Sequence, residues 1–352
     1  MGTRRRRVSV IRSRSKPVKW DDLRMEFISK CTADTISNAA QALIDGHLVV
    51  FPTETVYGLG ADATNEKAVS RIYSVKGRPV GHPLIVHISS INKLDQWATD
   101  IPDYAIKLAR EFWPGPMTLI LPRTDMAKNF ITGGQNNVGL RVPDQPIALA
   151  LLKKFEELGG HGIAAPSANR FGAVSPTKAD AVNEELGRYF DHNDLVLDGG
   201  PCQIGIESTI IDCTNSAPKI IRLGSVTSIH IEKLLDITHI ETVKKSQIRA
   251  SGEFDKHYSP KAIVIINEVP KSGDGFIALS DVDTPTNVIR LASPKNSEEY
   301  AQKLYSALRE GDNKNLKRIV VFPPKGLGLD LAINDRLDKA SAKNSMAKSE
   351  LR

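Results

Sequence analysis

The chain is short of cysteine, of aromatic residues and of long apolar runs. Its three cysteines in 352 residues, Cys31, Cys202 and Cys213, are too few and too scattered for a disulfide framework or a zinc site, and they fit a reducing compartment. No uninterrupted apolar stretch nears the ~18 residues that a membrane span requires. A soluble, cytoplasmic protein with no membrane partner is therefore expected. Acid is missing from the first twenty residues, which carry eight Lys or Arg. That segment reads as a disordered basic tail touching RNA, as an Arg- and Ser-rich transit peptide, or as a solvated tail without a role. It is set apart from the fold.

What is present is an α/β chain. The composition, 41% hydrophobic and 25% charged, is that of a globular protein. The length exceeds the ~250–300 residues at which single cores stop growing, so two domains are expected. From Cys31 onward, helical and strand patterns alternate. "ADTISNAAQALIDG" puts Ile36, Ala39, Ala40, Leu43 and Ile44 on one face and stops at Gly46. "HLVVF", "PLIVHIS", "MTLILP", "VGLRVP", "GIAAPS", "LVLDGG", "STIIDC" and "KIIRLG" read as strands. "NEKAVSRIYSV", "PDYAIKLAREFW", "PIALALLKKFEELGG" and "SPTKADAVNEEL" read as helices, the last with Ser175 as N-cap and Pro176 in the first turn. The expected organisation is a basic tail over 1–30, a catalytic α/β domain with a large twisted mixed sheet over 31–240, and a polar linker over 241–261. A small Rossmann-like α/β accessory domain follows over 262–345, then a tail over 346–352.

Several motifs invite a nucleotide reading and fail it. Gly58-x-Gly60-x-x-Ala63 matches a loose dinucleotide fingerprint. However, constrained and polar residues separate it from the preceding strand, and no acid closes the next one. "GQNNVGLR" lacks the Lys and Ser/Thr of a phosphate loop. "SPTK" matches Ser-x-x-Lys without its partner motifs. In "VVFPTETVYGLGADA", residues 52–55 are expected to end a strand at a cavity floor, with the glycines turning the backbone sharply and packing closely. Glu54 is assigned to pairing with a cation.

The residues that carry chemistry are cations and small hydroxyls at strand ends. Lys76 and Arg78 flank a glycine before a Pro-Gly-His-Pro loop. They read as a phosphate clamp or as a solvated basic turn. Arg141 lies in an apolar strand, where an unpaired guanidinium is costly. Ser167 and Asn169 follow one strand, Glu207, Ser208 and Thr209 open another, and Arg222 ends a third. Strand ends are where open α/β sheets bind ligands, and this set points to an anionic ligand with a small polar substrate.

Taken in order, "FPTETVYGLGADA", "KGRP…HPLIVHI", "WPGPMTL", "LRVPDQPIALALL", "AAPSANRFGAVSPT", "DGG…GIESTIID" and "IIRLG" resemble the YrdC-like threonylcarbamoyl-AMP synthase family over residues 47–224. "HYSP" and "VVFPPKGLGLDLAINDRLDKAS" resemble its long two-domain form. The resemblance implies that L-threonine, bicarbonate and ATP give threonylcarbamoyl-adenylate, pyrophosphate and water. It also implies a downstream tRNA threonylcarbamoyl transferase complex, with weak tRNA or double-stranded RNA contact as a further partner. It assigns Lys76, Arg78, Ser167 and Asn169 to catalysis at the phosphates. ATP contacts would fall on Arg78, His82, Asn137, Ser167, Ser175, Arg222 and Tyr258, and threonine contacts on Thr55, His87, Arg141, the carbonyl of Ala165, and Ser208. His82 stands where the family often has Asn, and Asn137 where Thr is common. No set of carboxylates converges on a metal, so Mg²⁺ is expected to travel with ATP. Two other classes compete. A non-catalytic RNA-binding module would show no threonine-dependent ATP consumption. A carbamoyl-transfer domain normally brings zinc-type cysteine clusters.

Overall fold

The computed structural model describes residues 28–243, 248–249 and 258–341. Residues 1–27 of the expected basic tail, with the RNA contact placed there, and residues 346–352 lie outside the described residues, whereas residues 28–30, expected in that tail, form a strand of the large sheet. Residues 244–247 and 250–257 of the expected linker also lie outside the described residues.

Among the described residues, eleven strands form one mixed sheet: β1 (Ile28–Lys30), β2 (Val49–Phe51), β3 (Gly58–Asp62), β4 (Ile85–His87), β5 (Met117–Pro122), β6 (Asn137–Arg141), β7 (Ile163–Ala164), β8 (Leu195–Asp198), β9 (Thr209–Asp212), β10 (Lys219–Arg222) and β11 (Glu241–Thr242). Their spatial order is β1-β8-β2-β3-β7-β4-β6-β5-β9-β10-β11. A second sheet, all parallel, takes the order β12-β15-β13-β14 from β12 (Ile263–Ile266), β13 (Gly275–Ile277), β14 (Ile289–Ala292) and β15 (Arg318–Val321). The helices are α1 (Ala33–Ile44), α2 (Glu66–Lys76), α3 (Leu94–Trp97), α4 (Asp103–Phe112), α5 (Asn129–Thr132), α6 (Pro146–Glu157), α7 (Ala179–Leu186), α8 (Ser228–Leu235), α9 (Ser297–Asn313) and α10 (Leu329–Ser341). The expected mixed α/β domain followed by a smaller parallel α/β unit is what the chain builds.

Local chemistry accounts for the helices that frame the site. Helix α2 starts at Asn65, whose side chain accepts from the Ala68 amide at 3.2 Å, and ends at Gly77 in the left-handed region. Helix α6 starts with Pro146 behind Gln145, whose side-chain oxygen accepts from the Ile147 and Ala148 amides. Ala39, Ala40 and Leu43 of α1 pack with Leu151, Leu152 and Phe155 of α6 in one buried cluster on one face of the sheet. Helix α8 and the short α3 and α5 are not among the expected elements.

Two local expectations are corrected. Gly58 and Gly60 do not turn the chain: they lie in β3, antiparallel to β2 with Val50 opposite Leu59. The close packing is present, because a Cβ on Gly60 would come within 2.8 Å of the Ile163 side chain and 2.9 Å of Phe51. Ser175 and Pro176 do not start a helix either. Helix α7 begins at Ala179 behind Lys178. The Ser175 hydroxyl is committed to Glu207 at 2.6 Å, and the Pro176 carbonyl accepts from the Tyr57 amide.

The second domain's core reaches into the first. Val56, Val174 and Ile206 of the first domain are buried in the same apolar cluster as Tyr258, Tyr300, Leu304, Ile333 and Leu337. Such a shared core resists relative movement of the two units.

Candidate active site

Strand register brings the site together. In the parallel pair β4–β6, His87 stands opposite Arg141, so both side chains reach the same end of the sheet. Ala165 and Ser167 follow β7, and Ser167 bridges back to Gly58 at the start of β3. Ser208 precedes β9 and Arg222 ends β10. These ends surround a cavity of about 550 Å³, counting its open mouth. Its walls include Thr55, Arg78, His87, Arg141, Ala165, Ser167, Ser208, Arg222 and Tyr258.

One side of the cavity is built from Thr55, His87, Arg141 and Ser208. The hydroxyls of Thr53 and Thr55 are 2.8 Å apart, and Thr53 gives its proton to the Val56 carbonyl. Thr55 must therefore donate to Thr53, which leaves its lone pairs free to accept from a ligand. His87 lies edge-on to the Phe51 ring. Burial, then the Arg141 charge, lowers its pKa to about 3, so the imidazole is neutral near pH 7. Among the described residues its Nδ1 has no hydrogen-bond partner. Arg141 donates Nε to the Gly115 carbonyl, and its Nη2 lies 2.7 Å from Glu54 Oε1. The Nη2 hydrogens are not aimed at that oxygen. The contact is Coulombic, and both groups keep unused hydrogen-bonding capacity.

The other side is more crowded with charge. The left-handed Gly77 swings Arg78 away from its helix, and the Arg78 amide donates back to the Tyr73 carbonyl. A Cβ on Gly77 would strike the Arg170 guanidinium. Burial lowers the Arg78 pKa to about 10. Arg222 is lowered too, by burial first and then by neighbouring arginines. Arg222 is anchored by Nε to the Ser208 carbonyl and by Nη2 to the Ser208 hydroxyl, each at 3.0 Å. An anionic ligand would relieve this concentration of positive charge.

Five residues expected at the ligands do not line the cavity. Lys76 is buried behind it, and its ammonium donates to the carbonyls of Ser167 and Asn169. Asn169 turns its amide nitrogen to the carbonyls of Arg170 and Ala173. Ser175 is spent on Glu207. His82 lies on the outer loop against the Phe171 ring. Asn137 lines a neighbouring hollow with Gln135 and Arg249. There, Gln135 exchanges two hydrogen bonds with the Arg249 backbone, and the Arg249 guanidinium donates to the carbonyls of Gly81 and Gly133. Among the described residues, no group of three or more His, Cys, Asp or Glu could hold a metal, and no helix is long and apolar enough to cross a membrane.

A family model described as telomere recombination, the Sua5–YciO–YrdC family, matches residues 41–224. A second, described as the C-terminal domain of threonylcarbamoyl-AMP synthase, matches residues 226–342. The chain belongs to the Sua5/YrdC threonylcarbamoyl-AMP synthase family. Among its relatives in that family, a threonylcarbamoyl-AMP synthase of Pyrococcus abyssi is 39% identical over 86% of this chain and 93% of its own. One of Bacillus subtilis is 38% identical over 87% and 92%. A crystal structure of P. abyssi Sua5 complexed with L-threonine superposes with a TM-score of 0.80 at 37% identity, covering 90% of this chain and 96% of that one.

Sequence reasoning within this family missed what lies behind the cavity wall. Glu207, a wall residue, is held by Tyr305 of α9 and Arg336 of α10, each at 2.9 Å. Arg336 is completely buried. A charged residue in the middle of an otherwise inward-facing helical pattern was the one available signal.

Proposed function

We propose that this cavity condenses L-threonine, bicarbonate and ATP into threonylcarbamoyl-adenylate, releasing pyrophosphate and water. One observation carries the reading. Arg78, Arg141 and Arg222 converge on one cavity with the hydroxyls of Thr53, Thr55, Ser167 and Ser208, in a fold that superposes along nearly its whole length on a Sua5 complexed with L-threonine.

In this reading Arg141 takes the threonine carboxylate, with Glu54 holding the guanidinium from behind. Thr55, neutral His87, the Ala165 carbonyl and Ser208 receive the amine and hydroxyl. A neutral imidazole can accept a hydrogen bond here without adding to the positive charge. The amine nitrogen forms a bond to the bicarbonate carbon, and water leaves. A carbamate oxygen then attacks the α-phosphorus in line, and the bond to the bridging oxygen breaks, releasing pyrophosphate. Neither step needs a covalent enzyme intermediate, so positioning and charge stabilisation do the catalytic work. Arg78, Ser167, Arg222 and Tyr258 face the nucleotide. Lys76 and Asn169 act from behind, by fixing the backbone that carries Ser167.

Magnesium comes with the triphosphate. The carboxylates at the cavity are Glu54 and Glu207, and each already faces an arginine, so the donor set fits no metal of its own. The product is an activated anhydride, and a transferase complex acting on tRNA is its proposed consumer. The test is ATP consumption in the presence of bicarbonate, with and without threonine. Threonine-dependent turnover that is lost in Arg78→Ala supports the proposal. Turnover indifferent to threonine rejects it.

A further inference from the structure

One fully buried hydroxyl has no part in the roles assigned so far. Thr118 lies in β5, between the buried apolar residues Met117 and Leu119, and is completely shielded from solvent. A polar side chain at such a position needs a partner. Among the described residues, the partner of its Oγ1 is Ser208 Oγ, 2.8 Å away and 90 residues along the chain. Strand register sets up the contact, because Met117 stands opposite Thr209 in the parallel pair β5–β9 and Ser208 is the residue before it. The Thr118 methyl is turned to Gly139 in β6: a Cβ there would lie 3.5 Å from it and 3.5 Å from Ile85.

The direction of the Thr118–Ser208 hydrogen bond decides what Ser208 offers to a ligand. Arg222 donates Nη2 to Ser208 Oγ at 3.0 Å, which takes one of its two lone pairs. If Ser208 donated to Thr118, the Thr118 proton would have no acceptor among the described residues, inside a fully buried strand. A buried donor left unpaired is destabilising. If Thr118 donates, both lone pairs of Ser208 are filled, and the Ser208 proton is left for the cavity whose wall Ser208 forms. The second arrangement leaves its spare proton where a ligand can accept it.

We propose that Thr118 is a positioning residue that fixes Ser208 as a hydrogen-bond donor to the side-chain oxygen of the amino-acid substrate. This rests on the threonine reading given above. In that reading Arg141 takes the carboxylate, and an ammonium group has no lone pair for a donor. The threonine hydroxyl oxygen is then the acceptor. Thr55 has the opposite polarity, since it donates to Thr53 and keeps lone pairs for the ligand. The two wall hydroxyls thus offer a donor and an acceptor to a group that is both. An amino acid of similar shape without the hydroxyl would leave both unpaired, which selects against it.

The test is calorimetric titration of L-threonine into full-length variants that are folded by circular dichroism. L-2-aminobutyrate, which lacks the hydroxyl, is measured in parallel as a competitor. Thr118→Val should weaken threonine about fivefold and 2-aminobutyrate by less than about twofold. In a Ser208→Ala background the same substitution should weaken threonine by less than about twofold. Thr118→Ser keeps the hydroxyl and should bind threonine within about twofold of the wild type. Should Thr118→Val fail to fold, Thr118→Ala removes the same hydroxyl without adding a methyl and should give the same pattern. Unchanged threonine affinity, equal losses for the two ligands, an undiminished effect beside Ser208→Ala, or no rescue by Thr118→Ser would each overturn the proposal. Product formation is scored separately. The expected binding pattern without threonylcarbamoyl-adenylate would leave the positioning role standing and remove the assigned reaction. Product formed by a chain whose threonine affinity ignores Thr118 would do the reverse.

Discussion

Two buried arginine–glutamate pairs meet the same cavity, and they are built in opposite senses. In Arg141–Glu54 the arginine faces the cavity and the acid stands behind it, both within the large sheet domain. In Glu207–Arg336 the acid faces the cavity and the arginine stands behind it, 129 residues along the chain and in the other domain. The first pair presents a cation to a ligand. The second ties the domains together through Tyr305 and Arg336. Buried pairs contribute little net stability against an apolar substitute, but breaking one is expensive. Both pairs are therefore better understood as devices for placing charge than as sources of stability.

The sharpest way to break the comparison is to remove the rear acid of the first pair. Glu54→Ala leaves a buried guanidinium without its counter-charge, and urea denaturation should show a loss of about 3–5 kcal/mol. Threonine binding should weaken with it, because Arg141 loses its orienting partner. Undiminished stability would mean that the 2.7 Å contact carries no weight.

Acid distinguishes the second pair. Burial alone would raise the Glu207 pKa, but Arg336 first, then Arg222 and the hydrogen bonds from Ser175 and Arg336, lower it to about 2 from an ordinary 4.5. A lowered folded-state pKa stabilises the fold fully above about pH 4.5, and that stabilisation is lost as the pH falls toward 2. Denaturant midpoints of the wild type should drop across this window, and Glu207→Gln should flatten that part of the profile. Superimposable profiles would contradict the assignment.

The backbone contact beneath α9 gives a smaller effect. Gly205→Ala forces a methyl against the Ala301 carbonyl at a positive φ, and should cost about 1–3 kcal/mol in urea denaturation. Last comes a control on the surface. Glu310→Ala breaks a half-exposed pair with Lys314 on α9, and should change stability by no more than about 0.5 kcal/mol.

The same contrast explains what could be read in the sequence. Features set by neighbouring residues were legible. The Lys-Gly-Arg step is a helix end with a left-handed glycine, and Gln145-Pro146 is a helix start. The strands ending in His87 and Arg141 declared themselves as apolar runs, and Glu54 was expected to meet a cation. Features set by distant contacts were not legible. Gly58 and Gly60 suggest a turn by composition, but they pair in a strand with β2, and at Gly60 Phe51 and Ile163 leave no room for a side chain. Ser175-Pro176 has the pattern of a helix start, but Glu207, 32 residues away, takes the hydroxyl. The fastening of Glu207 by Tyr305 and Arg336 left no local trace beyond one arginine in a buried helical stripe.

The most direct measurement is mass spectrometry of the product formed by the full-length chain from threonine, ATP-Mg and isotopically labelled bicarbonate. Threonylcarbamoyl-adenylate carrying the label, and formed only when all three substrates are supplied, is the predicted result. Cleavage of ATP with no label entering an adenylate would contradict the account, however well the cavity bound its ligands.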